Sequence, residues 1–328
     1  MLLRTPHSKR STKNAGAEAG SVIDRSPCIP RGLLIQPPTS APPDRPYINP
    51  RIITTHVSTT YRINYTMSLN PFSKPVLAVI GVGPGIGEAV SHHFASKGFI
   101  VALIARTESK LAKIQNTIND DVGAGASKYY VTDARSESSL QSTFAQIKSD
   151  LGPVDVLIYN AGSRRFTPRT ILETSSEEFE NFTRINLFGA FFATKCVLPD
   201  MLARSRGTIL FTGATGSVRG NAGVSSFSPG KFGLRSLSQI ITREFQGKGI
   251  HAAHVLVDGP VESDIVGGVV KRRWEKAGET EKVAEKDLYL MQPRDLAGVY
   301  WFLYSQPRSA WTQELDVRSQ REQMFSKI

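Results

Sequence analysis

An apolar pentapeptide, Val76–Ile80, runs directly into Gly81-Val82-Gly83-Pro84-Gly85-Ile86-Gly87, and a helix-length amphipathic segment follows. No other feature constrains the fold as much. Glycines at this spacing let a strand turn sharply into a helix and bring backbone N–H groups to a phosphate at the helix N-terminus. A glycine triplet alone marks only a tight turn. After a strand, before a helix and at the head of a βα series, it marks a dinucleotide-binding turn.

That series is present. Apolar runs at 76–80, 100–105, 128–131, 154–159, 208–212, 251–257 and 313–317 predict strands, and segments near 85–97, 107–119, 136–150, 176–203, 225–246 and 294–305 predict helices. Runs that are apolar throughout, separated by helices, predict an α/β fold. Its core is a doubly wound parallel sheet of about seven strands, with helices on both faces and right-handed crossovers.

The end of the second strand reads the adenosine ribose in such folds. An acidic residue there would bind the 2′-hydroxyl of NAD and repel a 2′-phosphate. This chain has Ala105-Arg106-Thr107, with Lys110 one helical turn later. A forked guanidinium suits a phosphate, so NADP(H) is expected over NAD(H). The plainer reading of Arg106 is a solvated side chain at a helix start.

The chain divides at about residue 67. Residues 1–66 hold nine of the 19 prolines and no stable apolar period, which predicts a disordered leader. It lacks the apolar core of a secretory signal. Two readings stand: an Arg- and Ser-containing, acid-poor mitochondrial transit peptide, or a translation start at Met67. Residues 67–328 are expected to form a single nucleotide-binding domain. The net charge of +11 suggests nucleic acid at first. More than half of it comes from the leader, and no helix carries a basic stripe, so nucleic-acid binding is not expected. Cys28 and Cys196 are the only cysteines, too far apart for metal-like spacing, which fits a reducing compartment. No apolar run approaches a membrane span, Phe188–Ala193 being far too short.

Taken together, these residues and others downstream resemble the short-chain dehydrogenase/reductase family across roughly residues 75–320. The loop Gly81-x-x-x-Gly85-Ile86-Gly87 looks like the family's cofactor motif, with Ile80 in place of the usual threonine. The resemblance implies that Asp133 meets the adenine and that Asn160-Ala161-Gly162 steadies the sheet beside the adenosine. It implies that Asn186 props a water relay to Lys231, which bonds the nicotinamide ribose. Asp258-Gly259-Pro260-Val261-Glu262-Ser263 resembles the turn beside the nicotinamide, with the proline displaced and Ser263 where threonine is common.

Two catalytic positions depart from the family pattern. In Phe227-Ser228-Pro229-Gly230-Lys231 a phenylalanine stands where the family has its acid/base tyrosine, and a phenyl ring carries no proton. The family's serine falls on Ala214; a one-residue shift in register would place the Thr215 hydroxyl there instead. The catalytic candidates are therefore Lys231, Asn186 and Thr215. Three outcomes remain open. Lys231 donates the proton in carbonyl reduction, with a pKa depressed by burial and the nicotinamide. Alternatively the chain reduces an activated double bond, as dienoyl-CoA reductase relatives do without this tyrosine. In the third, it is a catalytically silent NADP(H)-binding sensor or scaffold.

A substrate lid is expected near 261–292, where Lys271-Arg272-Arg273, interleaved with glutamates, reads most simply as a solvated face. Trp274, Tyr289 and Met291 are candidates for an apolar wall over a small-molecule substrate, and His251 and His254 read as core or edge residues. Leu187, Phe188, Phe191 and Phe192 cover more of one helix than a core needs, so a homodimer or homotetramer is expected. The cytosol is the expected location, with Ser326-Lys327-Ile328 approximating a peroxisomal address and the leader leaving the mitochondrion as an alternative.

Overall fold

The computed structural model describes residues 74–162, 168–263 and 266–321. Among them seven strands form one sheet: β1 (Val76–Ile80), β2 (Ile100–Ala105), β3 (Ser127–Val131), β4 (Val156–Tyr159), β5 (Gly207–Thr212), β6 (Ile250–Val257) and β7 (Glu314–Val317). They lie in the order β3-β2-β1-β4-β5-β6-β7, and every pairing is parallel. This is the doubly wound sheet the sequence predicts. Reversal of strand order between β1 and β4 creates the switch point at which such folds bind ligands.

The inner strands are buried along their length because both faces are covered, whereas the edge strands β3 and β7 are partly exposed and carry Lys128, Glu314 and Asp316. The period-2 alternation of side chains sorts the sheet into two cores. Leu77, Val79, Val101 and Leu103 face α1 (Ile86–Ser96), α2 (Glu108–Val122) and α10 (Pro293–Tyr304), meeting Phe94, Leu111, Ile118 and Tyr300. Ala78, Ile80, Ala102 and Ile104 face the opposite way, toward α3 (Glu137–Asp150), α5 (Gly189–Ala203) and α6 (Ser228–Phe245). There they join Leu140, Ile147, Val197 and Leu234. Burial of each such side chain is worth about 1.5–3 kcal/mol.

The segment expected as one helix over 176–203 is continuous but not uniform. It comprises α4 (Ser176–Thr183), a single π turn over Arg184–Phe188, and α5. By length and composition the stretch Ser176–Ala203 is apolar enough to cross a membrane, contrary to the sequence expectation. Its inner side, through Asn186, Ala190, Ala193, Val197 and Met201, is buried, as in the core helix of a globular domain.

Other boundaries moved for local reasons. The helix expected from residue 225 begins at Ser228, with Pro229 in its first turn, where a missing N–H costs nothing. Helix α2 runs on to Val122, and Gly123, at φ +132°, ends it. The segment expected as a lid holds three short helices: α7 (Val266–Lys276), α8 (Thr280–Ala284) and α9 (Lys286–Tyr289). The leader, Cys28, Phe166 and Ser326–Ile328 lie outside the described residues.

Candidate active site

All strands of a parallel sheet end at one edge, so the loops leaving β1, β2, β3, β4, β5 and β6 gather there. These loops hold the sequence candidates: Gly81–Gly87, Arg106, Asp133, Asn160–Gly162, Ala214–Thr215 and Gly259–Ser263.

The glycine turn is tightly built where it meets the sheet. Gly81, at φ +92°, donates its N–H to Ile104 O at 2.8 Å, and a side chain on it would collide with the Ala161 backbone. A Cβ on Gly87 would lie 2.6 Å from Gly81 O. Gly85 differs. It precedes α1 at φ +118°, no side chain caps that helix end, and a Cβ there would meet nothing within 4 Å. A turn packed at Gly81 and Gly87 but open at Gly85, with free N–H groups at a helix start, fits a pyrophosphate. Ile86 opens the helix. Asn160 braces the turn: its N–H bonds Ile80 O at 2.8 Å and its Nδ2 bonds Gly81 O at 3.0 Å.

Arg106 is exposed at the end of β2. Asp133 lies beyond β3, where Arg135 grips it, Nη2 to Oδ2 at 2.6 Å. The Arg135 hydrogen bonds hold the Asp133 carboxyl below the usual range, with a weaker pull from Arg106.

Lys231, Asn186 and Gly162 converge. Lys231 is 4% exposed and donates its Nζ to Thr212 O at 2.9 Å. Burial lowers its pKa from 10.5 to about 8. Asn186 is fully buried on the π turn, its Nδ2 bonded to Phe182 O at 2.9 Å, while its Oδ1 has no protein partner. A Cβ on Gly162 would lie 3.3 Å from that oxygen and 3.5 Å from Lys231 Nζ, so both side chains point at the same spot. The π turn makes this possible. Its widened backbone leaves Ile185 O for the buried Tyr159 hydroxyl, at 2.6 Å, and turns Asn186 inward.

The hydroxyl positions tell a different story. Phe227 sets its ring centroid 6.0 Å from Lys231 Nζ, a cation–π contact in place of an O–H. Ala214 starts the turn after β5. Thr215 is beside it, but donates its hydroxyl to Asp258 at 2.6 Å. Ser263 lies past Gly259, its Oγ accepting from Val266 N–H at 3.1 Å at the entry to α7. In the sequence Asp258 stood only as the first residue of the nicotinamide-side turn, with no partner, and Arg219 and Arg318 went unassigned. Asp258 is fully buried between Arg219 Nη2 at 2.5 Å and Arg318 Nη2 at 2.7 Å. A lone acid closing the apolar run of β6 was the one available signal, since its partners come from distant loops.

A dinucleotide-binding α/β domain with a buried Asn–Lys pair is the class of protein these features define. The short chain dehydrogenase profile matches residues 75–274, and the chain belongs to the short-chain dehydrogenase/reductase family. Carbonyl reductase family member 4 of Xenopus laevis is 30% identical over 229 residues, covering 68% of this chain and 93% of that protein. The crystal structure of a short-chain dehydrogenase from Rhodopseudomonas palustris superposes with a TM-score of 0.61 at 32% identity, covering 74% of this chain and 98% of the other. L-sorbose reductase from Gluconobacter frateurii, solved with NADPH and L-sorbose, shares the fold at a TM-score of 0.67 and 20% identity, covering 75% and 96%.

Proposed function

We propose that this chain is an NADP(H)-dependent oxidoreductase that reduces a carbonyl or activated double bond of a small apolar substrate, with Lys231 as the proton donor. The observation that carries this reading is Lys231 itself, a buried ammonium whose pKa of about 8 suits proton transfer near neutral pH. NADPH, when bound, supplies the hydride. The Gly81–Gly87 turn holds the pyrophosphate, and Arg106, with Lys110 a turn away, favours a 2′-phosphate by charge. Thr212 O orients the Lys231 ammonium, and the unpartnered Asn186 Oδ1 faces the same spot beside Gly162. The Phe227 ring lies 6.0 Å from the Lys231 ammonium, on the side where the family resemblance places a tyrosine hydroxyl.

A second reading has its own observation. Neither Phe227 nor Ala214 has a hydroxyl, and that of Thr215 is committed to Asp258. An NADP(H)-binding sensor or scaffold would tolerate all three.

NADPH oxidation by the full chain against carbonyl and enoyl substrates, run from pH 6 to 10, tests the proton donor. Reduction is expected to fall about tenfold per pH unit above pH 8, because the donor is then deprotonated. Lys231→Ala is expected to cost roughly 10²–10⁴-fold in kcat. Unchanged kcat with only a raised cofactor KM would remove Lys231 from the proton path. Tight NADPH binding without turnover across the panel would favour the silent binder.

A further inference from the structure

Behind the Ala214 turn lies a chain of polar groups that the chemistry above does not use. Arg235 on α6 donates Nε and Nη2 to Glu314 on β7 at 2.6 and 2.8 Å. Glu314 Oε2 stands 3.1 Å from His254 Nδ1 on β6. His254 Nε2 stands 3.1 Å from Ser217 Oγ, and that oxygen accepts the Ala214 N–H at 3.2 Å. Ser217 is fully buried and His254 is 1% exposed.

In order, acid, imidazole and hydroxyl imitate a hydrolytic triad. Access argues against that role. A nucleophile must reach substrate, whereas Ser217 Oγ is enclosed and already accepts a backbone N–H.

What the chain of contacts does is fix a conformation. A carboxylate 3.1 Å from Nδ1, close but outside hydrogen-bond geometry, favours hydrogen on that nitrogen by its charge, leaving Nε2 as acceptor for the Ser217 hydroxyl. The hydroxyl, so directed, offers a lone pair to Ala214. Burial keeps the ring neutral; Glu314 pulls the other way, and the nearby Lys231 and Arg235 charges add to the effect of burial. Gly213, on the end of β5, belongs to the same device, since a side chain there would run into the imidazole.

We propose that His254 and Ser217 are positioning residues: through the Ala214 amide they hold the turn after β5 in register with the Asp258–Gly259 turn at the nicotinamide end of the site. The Thr215–Asp258 bond is the joint between the two turns. The inference rests on the cofactor reading above, and its test separates the two. A turn displaced by about 1 Å can cost on the order of 10²-fold in a reaction, so its anchors matter without touching substrate.

Ser217→Ala cuts the link while leaving the ring and the core volume in place. His254→Gln keeps an acceptor where Nε2 stands. Amide hydrogen exchange of the full chain is the first readout. Ser217→Ala is expected to speed exchange at Ala214 about tenfold, with β1 and β2 unchanged, and His254→Gln to retain most of the wild-type protection. Emission of bound NADPH is the second: Ser217→Ala should move it toward that of free NADPH, with the dissociation constant changed less than about threefold. Wild-type exchange and wild-type emission in Ser217→Ala would overturn the proposal, as would loss of protection spread over the whole sheet. Absence of NADPH binding by the wild type would overturn the cofactor reading instead, and the exchange at Ala214 would still decide the anchor.

Discussion

Lys231 concentrates the tension between stability and chemistry in one side chain. Its pKa falls from 10.5 unfolded to about 8 folded. Below pH 8 the folded state therefore carries the full cost of a buried ammonium, about 3 kcal/mol. That cost fades as pH rises from 8 to 10.5, where the unfolded chain binds the proton and the folded chain does not. Lys231→Met is thus expected to raise Tm at pH 7 by several degrees, and to lower it slightly near pH 10.5, where only the bond to Thr212 O is lost. A Tm that is lower at both pH values would mean the ammonium is well solvated. The proposed preference for NADP(H) also turns on a single residue. Arg106→Asp is expected to weaken NADPH about 10- to 100-fold and to strengthen NADH, read by calorimetry. Legibility at this scale followed chemistry: Gly81, Asn186 and Lys231 stood out because each sits at a motif spacing. Asp258 and His254 did not. Asp258 is defined by Thr215 and Arg219, 43 and 39 residues away, and His254 by Ser217, 37 residues away. Nothing local to either residue announces such a partner.

Among elements, the π turn of Arg184–Phe188 does the most for the site, and nothing in the composition reveals it. An apolar helical segment reads alike whether or not one turn is widened. What sustains the turn is the Tyr159 hydroxyl on Ile185 O, itself buried at the end of β4. Tyr159→Phe leaves that carbonyl unpaired and is expected to cost about 1–3 kcal/mol, or a fall in Tm of roughly 2–4 °C per kcal/mol. If Tm is unmoved, another donor serves Ile185 and the turn does not depend on Tyr159. The inner strands, by contrast, were legible within about two residues, because a strand covered on both faces must be apolar at nearly every position. The edge strands β3 and β7 carry polar residues and were placed by their position in the βα series. Helices α7 to α9 were not, being short and rich in both charges.

At the scale of the folded domain, the described residues of the 176–203 stretch and α6 present apolar side chains that the core does not cover. Phe188 and Phe191 on the 176–203 stretch, and Phe232 and Ile240 on α6, are each more than two-fifths exposed. Phe188 and Phe191 line a groove together with Arg184, Leu187, Phe192 and Leu237. A second copy of the chain is the proposed occupant, giving a homodimer or homotetramer. Light scattering after size exclusion at micromolar protein should report at least a dimer, and Phe191→Glu a monomer; a wild-type monomer would refute the pairing. Topology and cofactor turn were readable from the chain because they depend on periodicity and glycine spacing. Substrate identity was not, since it rests on side chains that several distant loops bring together.

The glycine turn, Arg106 and the buried Asn–Lys pair are proposed to form a working NADP(H) site despite Phe227. Calorimetric titration of NADPH into the full chain, with NADH beside it, tests this most directly. Micromolar NADPH affinity, with NADH at least tenfold weaker, is the expected result. Failure to bind NADPH, or NADH binding as tightly, would contradict it.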